Sequence, residues 1–89
     1  MATLPIPAEI YFSDFAFDLV EYQIFRNDSL IGSAKGLSNT ENRKKYISFL
    51  IGTDIQPEDK LVTDNEVFIV SSIGFDTYNG EKQIINAYY

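Results

Sequence analysis

From Asp54 to Tyr89 the chain is a succession of strand-length apolar runs and turn residues, and no other stretch constrains the fold as much. Gly52 to Asp59 (GTDIQPED) is corner chemistry, with Pro57 preset for a tight turn. Lys60 to Val62 reads as a short strand and Thr63-Asp64-Asn65 as a turn. Glu66 to Phe75 reads as a long strand, and Glu81 to Tyr89 returns beside it. The Asn79-Gly80 step between them supplies the positive backbone dihedrals of a hairpin. In the long strand Val67, Ile69, Ile73 and Phe75 share one parity, while Phe68 and Val70 occupy the other. A strand apolar on both faces belongs in the middle of a barrel or sandwich. The preceding residues must pack on this block.

Upstream, Pro5 and Pro7 forbid regular helix and hold residues 1–8 as an extended arm. Glu9 to Arg26 is rich in aromatic and β-branched residues and reads as strand. Phe15, Phe17 and Leu19 alternate on one face, then Val20, Tyr22 and Ile24 on the other, which predicts a β-bulge at Leu19–Val20. A helix from Ser13 is the competing reading. Asn27-Asp28-Ser29 is a turn, and Leu30 to Leu37 returns from it as a strand. One parity of that strand (Leu30, Gly32, Ala34, Gly36) is nearly bare, the mark of a bend or of a close approach. Ser38 to Arg43 reads as an exposed polar loop followed by a strand through Tyr46–Ile51. The alternative is one short helix near 39–50, capped by Ser38-x-x-Glu41 and ending at Gly52. The sum is a mostly all-β single domain over 1–89, a small six-stranded antiparallel barrel or sandwich.

Composition narrows the function classes. Aromatic residues make up 15% of the chain, a share that suits a small core dependent on large rings. The absence of Cys excludes disulfides and thiolate metal sites, and favours an intracellular setting. The absence of His removes the commonest general base and metal ligand. No stretch approaches the length of a bilayer crossing. The acids Asp54, Glu58, Asp59, Asp64 and Glu66 match no calcium-loop spacing, and Ser71 and Ser72 lack a partner base. We therefore expect no enzyme, cofactor or metal.

The net charge of −6 is unevenly spread. Residues 1–26 carry four acids and one base (−3), and 47–89 carry seven acids and two bases (−5). Residues 27–46 reverse the sign, with two acids and four bases (+2). Those bases, Lys35, Arg43, Lys44 and Lys45, form a candidate patch facing a partner or DNA. The plainer reading is a solvated loop whose charges guard an apolar strand. Pro5, Pro7, Tyr88 and Tyr89 are candidate interface residues, the tyrosines because such rings anchor interfaces well.

Three elements of the second half carry a family likeness: Asp54-Ile55-Gln56-Pro57-Glu58-Asp59, Val67-Phe68-Ile69-Val70 and Asn79-Gly80. Together they resemble the C-terminal part of the small head-to-tail connector (head completion or stopper) proteins of tailed bacteriophages. The likeness spans about the last forty residues, and Glu58 stands where glycine is more typical. It implies a small β-barrel subunit of a ring beneath a capsid portal, in the virion or the host cytoplasm. Self-association and contacts with other virion proteins would follow, with Ser38–Lys45 as the loop toward DNA or a neighbouring subunit. An acidic module or inhibitor occupying a basic partner surface is the second reading, carried by the net charge.

Overall fold

The computed structural model describes residues 2–14 and 18–89. Three of its hairpins turn on two residues, and in each both residues have positive φ and the first is Asn. Asn27-Asp28 has φ of 52° and 63°, Asn42-Arg43 50° and 67°, and Asn79-Gly80 51° and 78°. Such turns match the right-handed twist of the strands they join, so each fixes its hairpin's register locally. They connect β2 (Val20–Arg26) to β3 (Ser29–Glu41), β3 to β4 (Lys44–Leu50), and β7 (Ser72–Tyr78) to β8 (Glu81–Tyr88). β5 (Lys60–Val62) and β6 (Val67–Ile69) form a shorter pair.

The seven strands form one curled antiparallel sheet in the order β7-β8-β4-β3-β2-β5-β6, a half-barrel. The predicted mostly-β barrel class is therefore observed. Two long strands carry the chain across the curl. β3 pairs with β2 through Gly36 and with β4 from Leu37 onward. On the other side, β6 and β7 are one strand interrupted at Val70–Ser71. Val70 N–H donates to Asp59 O (2.9 Å), and Ser71 N–H donates to Tyr88 O (2.6 Å). Counting that interrupted strand as one gives the expected six.

The core lies inside the curl: Tyr22, Ile24, Ile47, Phe49, Ile55, Leu61, Val70, Ile85 and Ala87. The bare parity of β3 explains itself here. A Cβ on Gly36 would stand 2.6 Å from Ile47 Cγ2 and 2.7 Å from Phe49 Cε1, so only glycine lets β3 turn the corner over these side chains. On the outer face of the β7–β3 half, a polar row crosses four strands. Asn39 Nδ2 donates to Ser48 Oγ (3.1 Å), Ser48 Oγ to Asn86 Oδ1 (2.7 Å), and Asn86 Nδ2 to Asp76 Oδ2 (3.1 Å). Ser48 and Asn86 are buried, so a slip of register would strand their polar groups.

Several expectations are corrected. Residues 39–50 form the β3–β4 hairpin rather than a helix, because β4 is flanked by ladders to β3 and β8 that satisfy its backbone. The polar segment Ser38–Arg43 is mostly strand, its loop reduced to Asn42-Arg43 by their positive φ. The helix lies instead at α1 (Ala8–Asp14), taking the last residue of the expected arm and the start of the stretch read as strand. Pro7 O accepts the Ile10 and Tyr11 N–H groups, and Ala8 and Phe12, one turn apart, bury against Ile84. Leu19 lies just before β2; Phe15 and Phe17 fall outside the described residues. The β2–β3 register shift falls at Ile24/Phe25, not at Leu19–Val20. The arm is not free: β1 (Ala2–Thr3) pairs parallel with β7, and Leu4 N–H donates to Thr77 O.

Gly36→Ala is expected to lower stability by about 1–3 kcal/mol, the usual range for forcing extra volume into a packed site. Gly32→Ala is the control, since nothing lies within 4 Å of its would-be Cβ. Equal thermal midpoints for the two variants would show that Gly36 is not the corner the fold needs.

Candidate functional site

Two charged clusters deserve comparison, one internal and one at an end of the half-barrel. The internal cluster is the Asp54–Asp59 corner. Asp59 is 2% exposed, and Arg26 reaches it from β2 with two parallel bonds, Nε to Oδ1 at 3.0 Å and Nη2 to Oδ2 at 2.9 Å. Arg26 Nη2 also donates to Asp54 Oδ1 at 3.0 Å, and Gln56 N–H donates to Asp59 Oδ2 at 2.9 Å. Burial by itself raises the Asp59 carboxyl, but the Arg26 and Gln56 hydrogen bonds and the Arg26 charge outweigh it and hold it below its ordinary value. Arg26 is correspondingly raised by its bonds to Asp59 and Asp54. The bidentate geometry satisfies both partners, so this cluster is a brace rather than a reactive site. Asp54 and Asp59 are spoken for by the guanidinium. Among the described residues no acidic, His or Cys group of three or more converges on a metal position.

Glu58, next to that brace, has φ 76°, the left-handed region that favours glycine. Its N–H donates to Val70 O at 2.7 Å, which fixes the conformation in spite of the side chain.

The second cluster lies where β2 begins and β8 ends. One open cleft of about 970 Å³ is lined by Glu21, Asp64 and Glu66 around Tyr22, Phe68 and Tyr89, and no Lys or Arg among the described residues lines it. The aromatic rings form a continuous row. Tyr22 meets Phe49 edge-on at 5.7 Å and Phe68 at 6.1 Å, and Phe68 meets Tyr89 at 4.6 Å. Burial raises the Tyr22 phenol above its ordinary value, and Tyr89 and Glu66 push it in the same direction. A neighbouring cleft is lined by Arg43, Lys44 and Lys45 with Ser71, Ser72 and Tyr88. Tyr89 lines both clefts, and its N–H donates to Lys45 O at 3.1 Å. Beside the basic cleft, Tyr46 Oη donates to Glu41 Oε2 at 3.2 Å and its ring lies 5.1 Å from Tyr88. Burial, then that bond, push the Tyr46 phenol up to about 12.

The structure thus gathers Arg43, Lys44, Lys45, Tyr88 and Tyr89 at one end. Lys35 lines neither cleft; it stands opposite Glu21, a residue of the acidic rim, in the β2–β3 ladder. Pro5 and Pro7 lie in the arm that packs on β7 and β8, where Ala8 N–H donates to Gln83 Oε1 at 3.0 Å. The acidic rim joins residues distant in sequence, and its only sequence signal was the acidic bias of the Asp64–Glu66 turn. β6 was expected to be central, yet it ends the sheet, with Val67 and Ile69 each 60% exposed. Comparison with protein-family models, curated proteins and solved structures returns no match to this chain.

The depressed Asp59 value sets a pH dependence. A carboxyl whose folded pKa is below its unfolded one, near 3.9, adds stability above that value and loses it as pH falls through the folded pKa. Asp59→Asn is therefore expected to be less stable than wild type at pH 7, by about 1–3 kcal/mol for a lost buried bonding partner. It should also lose less between pH 5 and pH 2. Denaturant midpoints that fall in parallel for both proteins would rule out Asp59 as the acid-sensitive group. At Glu58, replacement by Gly is expected to hold or raise the thermal midpoint, whereas Glu58→Val lowers it, because a β-branched residue tolerates positive φ poorly.

Proposed function

We propose that this chain is a non-enzymatic assembly subunit of a tailed bacteriophage or prophage, a head–tail connector component acting in a ring. The observation that carries this reading is the exposed β3–β4 hairpin, whose bases Arg43, Lys44 and Lys45 have no ion-pair partner among the described residues. It coincides with the segment that the connector resemblance marks as the loop turned toward DNA or a neighbouring subunit. The free β6 edge adds support. Antiparallel alternation points the Val67 and Ile69 backbone groups away from β5, leaving them open to another strand. Ring assembly through unlike surfaces would use such edges.

The acidic cleft favours a second reading, a module whose Glu21, Asp64 and Glu66 occupy a basic partner surface. Light scattering after size exclusion separates the two. The assembly reading expects a mass above 10.1 kDa that grows with concentration, and a monomer throughout a wide concentration range counts against it. For DNA contact, Lys44→Glu with Lys45→Glu should abolish duplex binding measured by anisotropy at low salt, where phosphate contacts are strongest. Unchanged binding would remove the hairpin from that role.

A further inference from the structure

We infer that the acidic cleft is the docking surface for the basic hairpin of a second copy of this chain. The inference rests on the self-association proposed above and names the residues that would carry it. One end of the molecule is bipolar. Glu21, Asp64 and Glu66 line one cleft and Arg43, Lys44 and Lys45 the next, with Tyr89 common to both. The chain's only net-basic segment, 27–46, thus has its exposed tip beside carboxylates drawn from the two acidic segments. The basic hairpin of one copy is complementary to the acidic cleft of the next, two unlike patches with no ion pairs within the chain among the described residues, so the contact can run head to tail around a ring.

The chemistry between the charges fits protein rather than a small anion or cation. The half-buried rings of Phe68 and Tyr89 form an aromatic centre against the buried Tyr22, and Val20 adds an exposed apolar side chain at the cleft. An apolar, aromatic centre inside a charged rim is the ordinary anatomy of a protein–protein contact. The hairpin tip is short and held in place. Its two-residue turn holds Arg43 at the tip and its strands are braced by the Tyr46–Tyr88 contact and the Tyr46–Glu41 bond. It therefore docks as a preorganised knob with little ordering cost.

Two charge-reversed proteins test this, Lys44→Glu/Lys45→Glu and Asp64→Lys/Glu66→Lys, each first checked for a wild-type melting curve. Sedimentation should show each reversed protein self-associating at least tenfold more weakly than wild type. An equimolar mixture of the two should recover association, and wild-type association should weaken with added salt. If both reversed proteins associate like wild type, the hairpin–cleft contact is wrong while self-association through another surface stands. If each is impaired but the mixture does not recover, the direct contact is likewise overturned. A wild-type protein that stays monomeric overturns both readings. In that case oligolysine binding lost in Asp64→Lys/Glu66→Lys would assign the cleft to a basic partner protein.

Discussion

The Arg26–Asp59 pair is the contact on which the arrangement of the second half depends. Asp59 sits at the end of the corner that launches β5, and its backbone carbonyl receives Val70 N–H where β6 gives way to β7. Holding its side chain therefore positions two separate connections. Arg26, the last residue of β2, anchors that point to the first half of the chain and takes Asp54 as well. A buried ion pair is a weak source of net stability, because desolvation offsets most of the attraction. Its contribution here is geometric. A planar guanidinium meeting a carboxylate through two parallel bonds accepts few other orientations, so the corner is set in one place.

The second constraint is the bend in β3. A half-barrel of this size needs a strand long enough to serve both halves, and β3 does so only because Gly36 leaves room for Ile47 and Phe49. The corner opposite is made differently, by breaking the strand at Val70–Ser71 and handing the ladder from Asp59 to Tyr88. One side curls by removing a side chain and the other by interrupting the pairing. Both solutions keep the backbone groups satisfied while the sheet turns around one core.

Much of this was legible from the sequence, for local reasons. Alternating apolar residues in 60–89 and the Asn79-Gly80 step specify strands and a turn within a few residues, so β8 lay where expected, while the long strand expected over Glu66–Phe75 is broken at Val70–Ser71 and runs on to Tyr78. What escaped depends on contacts far apart in the chain. Asn42-Arg43 lacks the glycine that advertises such a turn, and only its leading Asn, shared with the other two hairpins, hints at it. α1 was hidden because the aromatic and β-branched enrichment of 9–26 read as strand and the competing helix was placed from Ser13, whereas the contact of Ala8 and Phe12 with Ile84 sets the helix further upstream. β6 looked central because both its parities are apolar, yet its outer face remains exposed. Of the candidate site, the basic residues were visible as a charge reversal. The acidic cleft was not, because Glu21 and the Asp64–Glu66 turn meet only through folding.

A net charge of −6 describes the average over the whole molecule, and salt screens it beyond a Debye length of about 8–10 Å. A partner at contact distance meets something else. The three hairpin cations line one cleft and the three carboxylates another, with Tyr89 in the lining of both, so the sign of the charge reverses between neighbouring clefts. Such a surface repels neither acids nor bases as a class; it selects partners that carry the reverse pattern at the same spacing. The packed β scaffold makes that selection sharp. The Asn42-Arg43 turn, the Tyr89–Lys45 bond and the Thr63–Glu66 bond hold the opposed charges on short, hydrogen-bonded turns and the strand ends beside them.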